Sequence, residues 1–263
     1  MRHFLAILIL LLSVGAVRAD ITSNLVAHWK LDETSGTSAA DSSGNGNTGT
    51  YVNTPTLGVT GAFGSSKAVT FASASSQRMT NAALTWSSVS AACTVAAWIK
   101  PTSVTTYPSC VGNAAESTNN GSLFLTTTGT IDFRMGGSVI GTNRLVSSGT
   151  VPNGSWTHVV VTWDGTTLTI YRNAASDISD NTMSLAWPAS NVNLGGITGF
   201  YYNGSLDDVR IYSRALSADD VAELYAYTGA SKFPYWYFQS GGLRRNPFDV
   251  LAVRQPLAIL KTR

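Results

Sequence analysis

The residues that can do chemistry in this chain are few. Asp207 and Asp208 stand side by side in Gly204-Ser-Leu-Asp-Asp-Val-Arg-Ile-Tyr-Ser-Arg-Ala-Leu216. That stretch alternates with period 2, so it reads as a strand and its two aspartates point to opposite faces. There are three glutamates, Glu33, Glu116 and Glu223. His28 and His158 sit in strand-like runs beside tryptophans, where an imidazole packs rather than acts as a base. No Gly-x-Ser-x-Gly elbow, phosphate loop or His-rich zinc pattern is present.

Residues suited to recognition are better represented. Gly199-Phe200-Tyr201-Tyr202-Asn203-Gly204 is an aromatic loop between strands, and Tyr107 and Trp187 each precede a proline. Exposed rings beside amides and carboxylates make a carbohydrate platform, joining apolar contact to placed hydrogen bonds. The same rings can instead cap the ends of a sandwich. Asn-Gly-Ser triplets at Asn120, Asn153 and Asn203 fit the glycosylation pattern, but Asn-Gly is also a favoured hairpin turn.

These residues are carried by a chain with an address. Residues 1–19 read as a cleaved signal peptide: a short polar start, the apolar run Phe4 to Leu12, and small residues at Val17 and Ala19 before Asp20. The run is far short of the ~20 residues that a membrane-spanning helix needs. The expected location is therefore secreted, periplasmic or cell-surface. Residues 20–230 suffice for one domain. They hold nine basic and fourteen acidic residues, against six basic and one acidic in the tail, 231–263. An acidic domain without a basic patch argues against nucleic acid as partner. The tail opens on Phe233-Pro234-Tyr235-Trp236-Tyr237-Phe238. It reads as an edge strand, an adhesive segment or a loose extension. Oligomeric state is not legible.

Strand patterns recur along the domain. They fall at Leu25–Leu31, Lys67–Phe71, Cys93–Lys100, Trp156–Trp163, Leu168–Arg172, Val192–Leu194 and Ser205–Tyr212, with a hairpin of Ser122–Thr127 and Thr130–Met135 around Gly129. Short strands with Gly-rich turns predict an all-β sandwich. One helix is expected, Ala218 to Tyr227, capped by Ser217 and ended by Gly229. The cysteines, Cys93 and Cys110, can form a disulfide in an oxidising compartment. A simple hairpin between their strands would hold them on the order of 16 Å apart at strand rise. A disulfide needs Cα atoms within ~7 Å. A longer turn, or strands that are not neighbours, leaves the bond open.

Five segments in order resemble the LamG-like jelly-roll domain of the concanavalin A-like lectin/glucanase superfamily. They are Leu25–Glu33 with Ser35-Gly36, Asp41–Asn47, Thr94–Pro101, Trp156–Gly165 with Leu168 and Tyr171, and Gly204–Leu216. The resemblance implies an antiparallel two-sheet jelly roll with one short C-terminal helix, and a core filled by Trp29, Trp98, Trp156 and Trp163. Asn173-Ala174 departs from the family's usual Asn-Gly turn and puts that hairpin in doubt. The resemblance also implies a structural Ca²⁺ between the early loop and the closing strand, held by Asp41, Asn45 and Asp207. The alternative is an Asx-type turn at Asp41 and a solvated Asp207. Glycosidases of this superfamily carry paired carboxylates on a Glu-x-Asp-x-x-Glu strand, and none is present here. The reading is an exported, non-catalytic module binding carbohydrate or an extracellular protein surface. The alternatives are an adhesive protein attaching through its tail and a glycoside hydrolase.

Overall fold

The computed structural model describes residues 20–89, 91–113, 122–135, 143–183, 185 and 189–227. Residues 1–19 and 231–263, Gly229 and Trp187 lie outside them. The chain begins with β1 (Leu25–Trp29), β2 (Ser38–Ala39), β3 (Gly49–Val52), β4 (Thr56–Thr60), β5 (Lys67–Phe71) and β6 (Arg78–Thr85). Next come β7 (Cys93–Pro101), β8 (Ser109–Asn113), β9 (Ser122–Leu125), β10 (Thr130–Arg134), β11 (Arg144–Thr150) and β12 (Thr157–Trp163). Then follow β13 (Leu168–Arg172), β14 (Ala175–Asp180), β15 (Asn191–Leu194), β16 (Gly196–Ile197), β17 (Phe200–Tyr201), β18 (Gly204–Tyr212) and helix α1 (Ala218–Ala226).

Among the described residues these strands build two antiparallel sheets of eight and a two-stranded ribbon, β16-β17. The first runs β14-β13-β12-β7-β18-β5-β4, with β1 paired to β18. The second runs β11-β10-β9-β8-β15-β6-β3-β2. Alternate side chains of both meet in one core, including Trp29, Phe71, Trp86, Val95, Ile99, Leu123, Phe133, Val161 and Ile211. This is the two-layer solution for half-apolar strands. The all-β sandwich with one short helix is therefore the observed fold.

A second, smaller cluster lies on the outer face of the first sheet. Ala96, Val160, Tyr171 and Tyr212 face outward there and meet Leu216, Val221 and Leu224. Ser217 starts α1 with a capping box, its side chain accepting from the Asp220 N–H while Asp220 accepts from the Ser217 N–H. The apolar stripe of α1 thus docks on the sheet, as the i, i+3 spacing predicts.

Docking of the helix redistributes the tryptophans. Trp29 and Trp163 are in the inter-sheet core. Trp98 is buried on the opposite face, stacked on Tyr225 of α1 with centroids 5.5 Å apart. Trp156 is half-buried, with the Lys100 ammonium 5.8 Å from its ring centre. Trp86, which carried no sequence signal, is fully buried in the core.

The two cysteine strands are not neighbours, which is the second of the two arrangements left open by the sequence. Cys93 lies on β7 in the first sheet and Cys110 on β8 in the second, and both are free, buried thiols. Burial pushes both thiols up, away from the reactive thiolate.

The β13–β14 hairpin keeps a two-residue turn without glycine. Asn173 and Ala174 have φ of 49° and 66°. A two-residue turn with both φ positive suits a twisted hairpin. Asn tolerates this region, whereas alanine pays for its Cβ. Ala174→Gly is expected to raise stability by about 0.5–1 kcal/mol, read as a higher midpoint in urea unfolding.

Candidate functional site

α1 packs on the outer face of the first sheet, and on the second sheet a cluster of rings and guanidinium groups gathers with only its rim at the surface. On β9, Leu123 and Leu125 point into the core, which turns Phe124 outward. Phe124 stands opposite Asp132 on β10 and Ser109 on β8. Arg134 follows two residues after Asp132 and shares its face. Its guanidinium lies 5.1 Å from the Phe124 ring centre and 5.5 Å from that of Tyr107. Phe200 of β17 meets Phe124 edge to face, with centroids 5.8 Å apart.

Asp132 holds this cluster in place. One carboxylate oxygen accepts from Arg134 at 2.6 Å and lies 2.9 Å from Arg144 Nε of β11. The other oxygen has no donor. Two guanidinium groups share one buried carboxylate, so a net positive charge remains beside the rings. Tyr107 is 37% exposed and Phe200 half-buried, which leaves ring surface at the rim.

Of the residues singled out from the sequence, Tyr107 and Phe200 are brought together here. Tyr201 is half-buried beside Phe200. Tyr202 is fully buried in the core, so it is no platform ring. Asn203 donates to Ser103 Oγ at 3.3 Å, and its carbonyl accepts from Thr102, so it fastens the strand end. Phe124, Asp132, Arg134 and Arg144 were missed. The signal for the first three was the polar and aromatic alternation of the Ser122–Met135 hairpin, whose outward positions carry them; Arg144 comes from β11, a strand that the pattern did not show.

The calcium trio is not assembled as a cage. Asp41 Oδ1 accepts from the N–H groups of His28 and Ser43, and Oδ2 from Asn47 N–H and Ser43 Oγ, at 2.8–3.0 Å. With four donors around it the carboxylate has no lone pair turned to a cation. Burial raises its pKa, but these bonds prevail and hold it below the usual range. Asn45 donates to the Leu25 and Val26 carbonyls, in the same loop. Asp207 serves a different one, accepting from Ala62 N–H at 2.7 Å and Ser66 Oγ at 3.0 Å. Among the described residues no three His, Cys, Asp or Glu side chains form a metal-holding group. These donors therefore do not fit a calcium cage of six to eight oxygens.

Asp207 is not solvated either. It is buried opposite Trp98, which in turn faces His158, in one row across β18, β7 and β12. Beside that row, Asp208 accepts from Arg210 at 3.1 Å and pairs with His28 Nε2 at 2.5 Å. The adjacent aspartates do not oppose one another, because a β-bulge with Asp208 at φ 48° rotates the backbone between them. The histidines are packed, and burial lowers the pKa of both, that of His158 to about 4.

Residues 46–222 match the family model of the Concanavalin A-like lectin/glucanases superfamily. The chain belongs to this superfamily. No curated protein matches it in sequence. Among solved structures, domain 4 of AbnA, a GH43 extracellular arabinanase from Geobacillus stearothermophilus, was determined with arabinotriose. It is 22% identical with a TM-score of 0.59, over 77% of this chain and 98% of that domain. The binding domain of Paraclostridial Mosquitocidal Protein 1 is 18% identical with a TM-score of 0.63 over 78% of this chain. The receptor binding domain of botulinum neurotoxin mosaic serotype C/D is 15% identical with a TM-score of 0.60 over 79%. This chain spans about half the length of each toxin domain (52% and 51%). At these identities the likeness establishes the lectin/glucanase-like sandwich. No helix among the described residues is long and apolar enough to cross a membrane.

Proposed function

We propose that this protein is an exported, non-catalytic module that binds carbohydrate on the outer face of its second sheet. The observation that carries the reading is Arg134 held between the Tyr107 and Phe124 rings by Asp132. The Tyr107 and Phe200 rings at the rim supply flat apolar contact for sugar faces, backed by the buried Phe124, and the fixed guanidinium supplies directed donors. The similar arabinanase domain holding arabinotriose, and the receptor-binding role of the toxin domains, support a recognition role. The non-catalytic reading rests on Asp132, which is neutralised by two arginines and has no second carboxylate across the cluster among the described residues. Glycoside cleavage needs two such groups about 5–10 Å apart.

Affinity electrophoresis of the mature protein in gels containing arabinan, xylan, mannan or mixed-linkage glucan tests this. Retardation by at least one polysaccharide is expected. Tyr107→Ala should weaken that binding about tenfold, roughly 1.4 kcal/mol, with the melting temperature unchanged. Binding untouched by Tyr107→Ala would move the site elsewhere. Release of reducing ends, abolished by changing one Asp or Glu, would make the protein an enzyme.

A further inference from the structure

The aromatic cluster uses one part of the second sheet's outer face. Two strands from Phe124 a shallow groove of about 290 Å³ is lined by Thr80, Asn81, Ala82, Asn191 and Asn193. Asn193 faces outward, because its neighbours Val192 and Leu194 are in the inter-sheet core. It stands opposite Thr80 on β6 and Gly112 on β8, and Gly112 adds no side chain between the groove and β9.

The donors and acceptors of the groove are unevenly used. Asn81 is fully committed: it donates to the Asn47 and Thr48 carbonyls and accepts from the Ala83 and Leu84 N–H groups. It is a wall. Asn193 is 4% exposed, and its Oδ1 has no donor. A buried amide oxygen left without a donor is a standing cost, which a ligand hydroxyl removes once the amide turns into the groove that Asn193 lines. The lining residues are amides, a hydroxyl and a methyl. None carries a charge to hold an anion or a cation, so the chemistry favours a neutral, hydroxyl-bearing ligand.

The geometry points to a second subsite here, for a neutral sugar unit of the same glycan chain that is held at the Tyr107–Arg134 cluster. This inference rests on the carbohydrate reading above. Phe124 and Asn193 are separated by two strand spacings, roughly 10 Å at ~4.8 Å each, and are further offset along the strands. That is the span of a short oligosaccharide rather than of one ring. The module then grips a chain at two places, and affinity depends on chain length.

Titration calorimetry of the mature protein with linear arabino-, xylo- and cello-oligosaccharides, from disaccharide to hexasaccharide, tests this. In the wild type, affinity for at least one series should rise tenfold or more between the disaccharide and the longest member. Asn193→Ala should abolish that rise and leave disaccharide affinity intact, while Tyr107→Ala weakens every length. Asn191→Ala, at the half-buried rim of the groove, is the second variant should Asn193→Ala lower the melting temperature, and it should flatten the same rise. Length dependence retained in both asparagine variants overturns the subsite and leaves the carbohydrate reading standing. A wild type that binds none of the oligosaccharides and none of the polysaccharides overturns both.

Discussion

Asp208→Ala lowers the stability of the domain by about 3–5 kcal/mol, the usual cost of removing one partner from a buried ion pair. Asp208, His28 and Arg210 are all nearly closed to solvent, with side-chain exposures of 6%, 8% and 3%. Asp208 Oδ1 takes both the imidazole and the guanidinium. Burial alone would push this carboxyl up. The Arg210 charge and the His28 bond outweigh it and hold the pKa at about 2, below the ordinary value of 3.8. That contribution is fully present above pH 3.8 and is lost as pH falls towards 2. Without Asp208 the guanidinium keeps, among the described residues, the Tyr227 ring, 4.9 Å away, and Tyr212. For a domain of this size the melting temperature should fall by roughly 6–20 °C. Asp208→Asn separates charge from backbone, because asparagine also tolerates the positive φ. It should lose most of the same stability, and high salt should not rescue it, since the pair is out of the solvent. Calorimetry showing Asp208→Asn as stable as wild type would assign the cost to the bulge instead of the charge.

The parts of this fold legible in the sequence are those where local pattern and packing agree. Lys67–Phe71 and Leu168–Arg172 have the observed strand bounds, and the Ser217 cap starts the helix where expected. Among the strands missed, β4, β11 and β14 are short of apolar residues. Ala175–Asp180, for instance, forms a sheet edge in which no residue is fully buried. Such a segment is ordered by its neighbours. Asp177, from β14, accepts from the Ser148 and Gly149 N–H groups of β11, tying the edges of the two sheets together.

For the sites, alternation identified side chains that share a face but not which face looks inward. β7 is buried almost throughout, because α1 covers its outer side. Trp98 and Ile99 therefore look alike in sequence, although Ile99 faces the inter-sheet core and Trp98 stacks on Tyr225 on the other side. The same limit applied to Tyr201 and Tyr202, where one ring of the pair is buried and its neighbour is not. The His28–Asp208 pair joins residues 180 positions apart, and the bulge that permits it leaves no mark on the alternation. Asp41 was legible both as a ligand and as a turn acid, and its hydrogen bonds decide for the turn.

Asp207→Asn should stabilise the protein at pH 8 by about 2–4 kcal/mol, and the gain should vanish near pH 4. Burial pushes the Asp207 carboxyl up to about 7, the Asp208 and Asp32 charges push the same way, and the bonds from Ala62 and Ser66 only partly oppose them. One of its oxygens has no donor at all. The folded state therefore holds this proton between pH 3.8 and 7 while the unfolded state releases it, so stability falls as pH rises through that window. Three units correspond to roughly 4 kcal/mol, part of which asparagine recovers by keeping the Ala62 and Ser66 bonds. His158 has the opposite sign. Its folded pKa of about 4 lies below the ordinary 6.5 because burial disfavours the imidazolium, so stability is lost as pH falls from 6.5 to 4. Across pH 4 to 6.5 the Asp207 slope opposes that of His158 and of His28, whose pKa burial also lowers, so the wild-type melting temperature should vary less than that of Asp207→Asn. In Asp207→Asn only the histidine slope remains, and the melting temperature should climb steadily from pH 4 to 6.5. A variant that is less stable than wild type at pH 8 would mean that the 61–66 loop needs an ionised acceptor, and that the unpartnered oxygen carries no penalty.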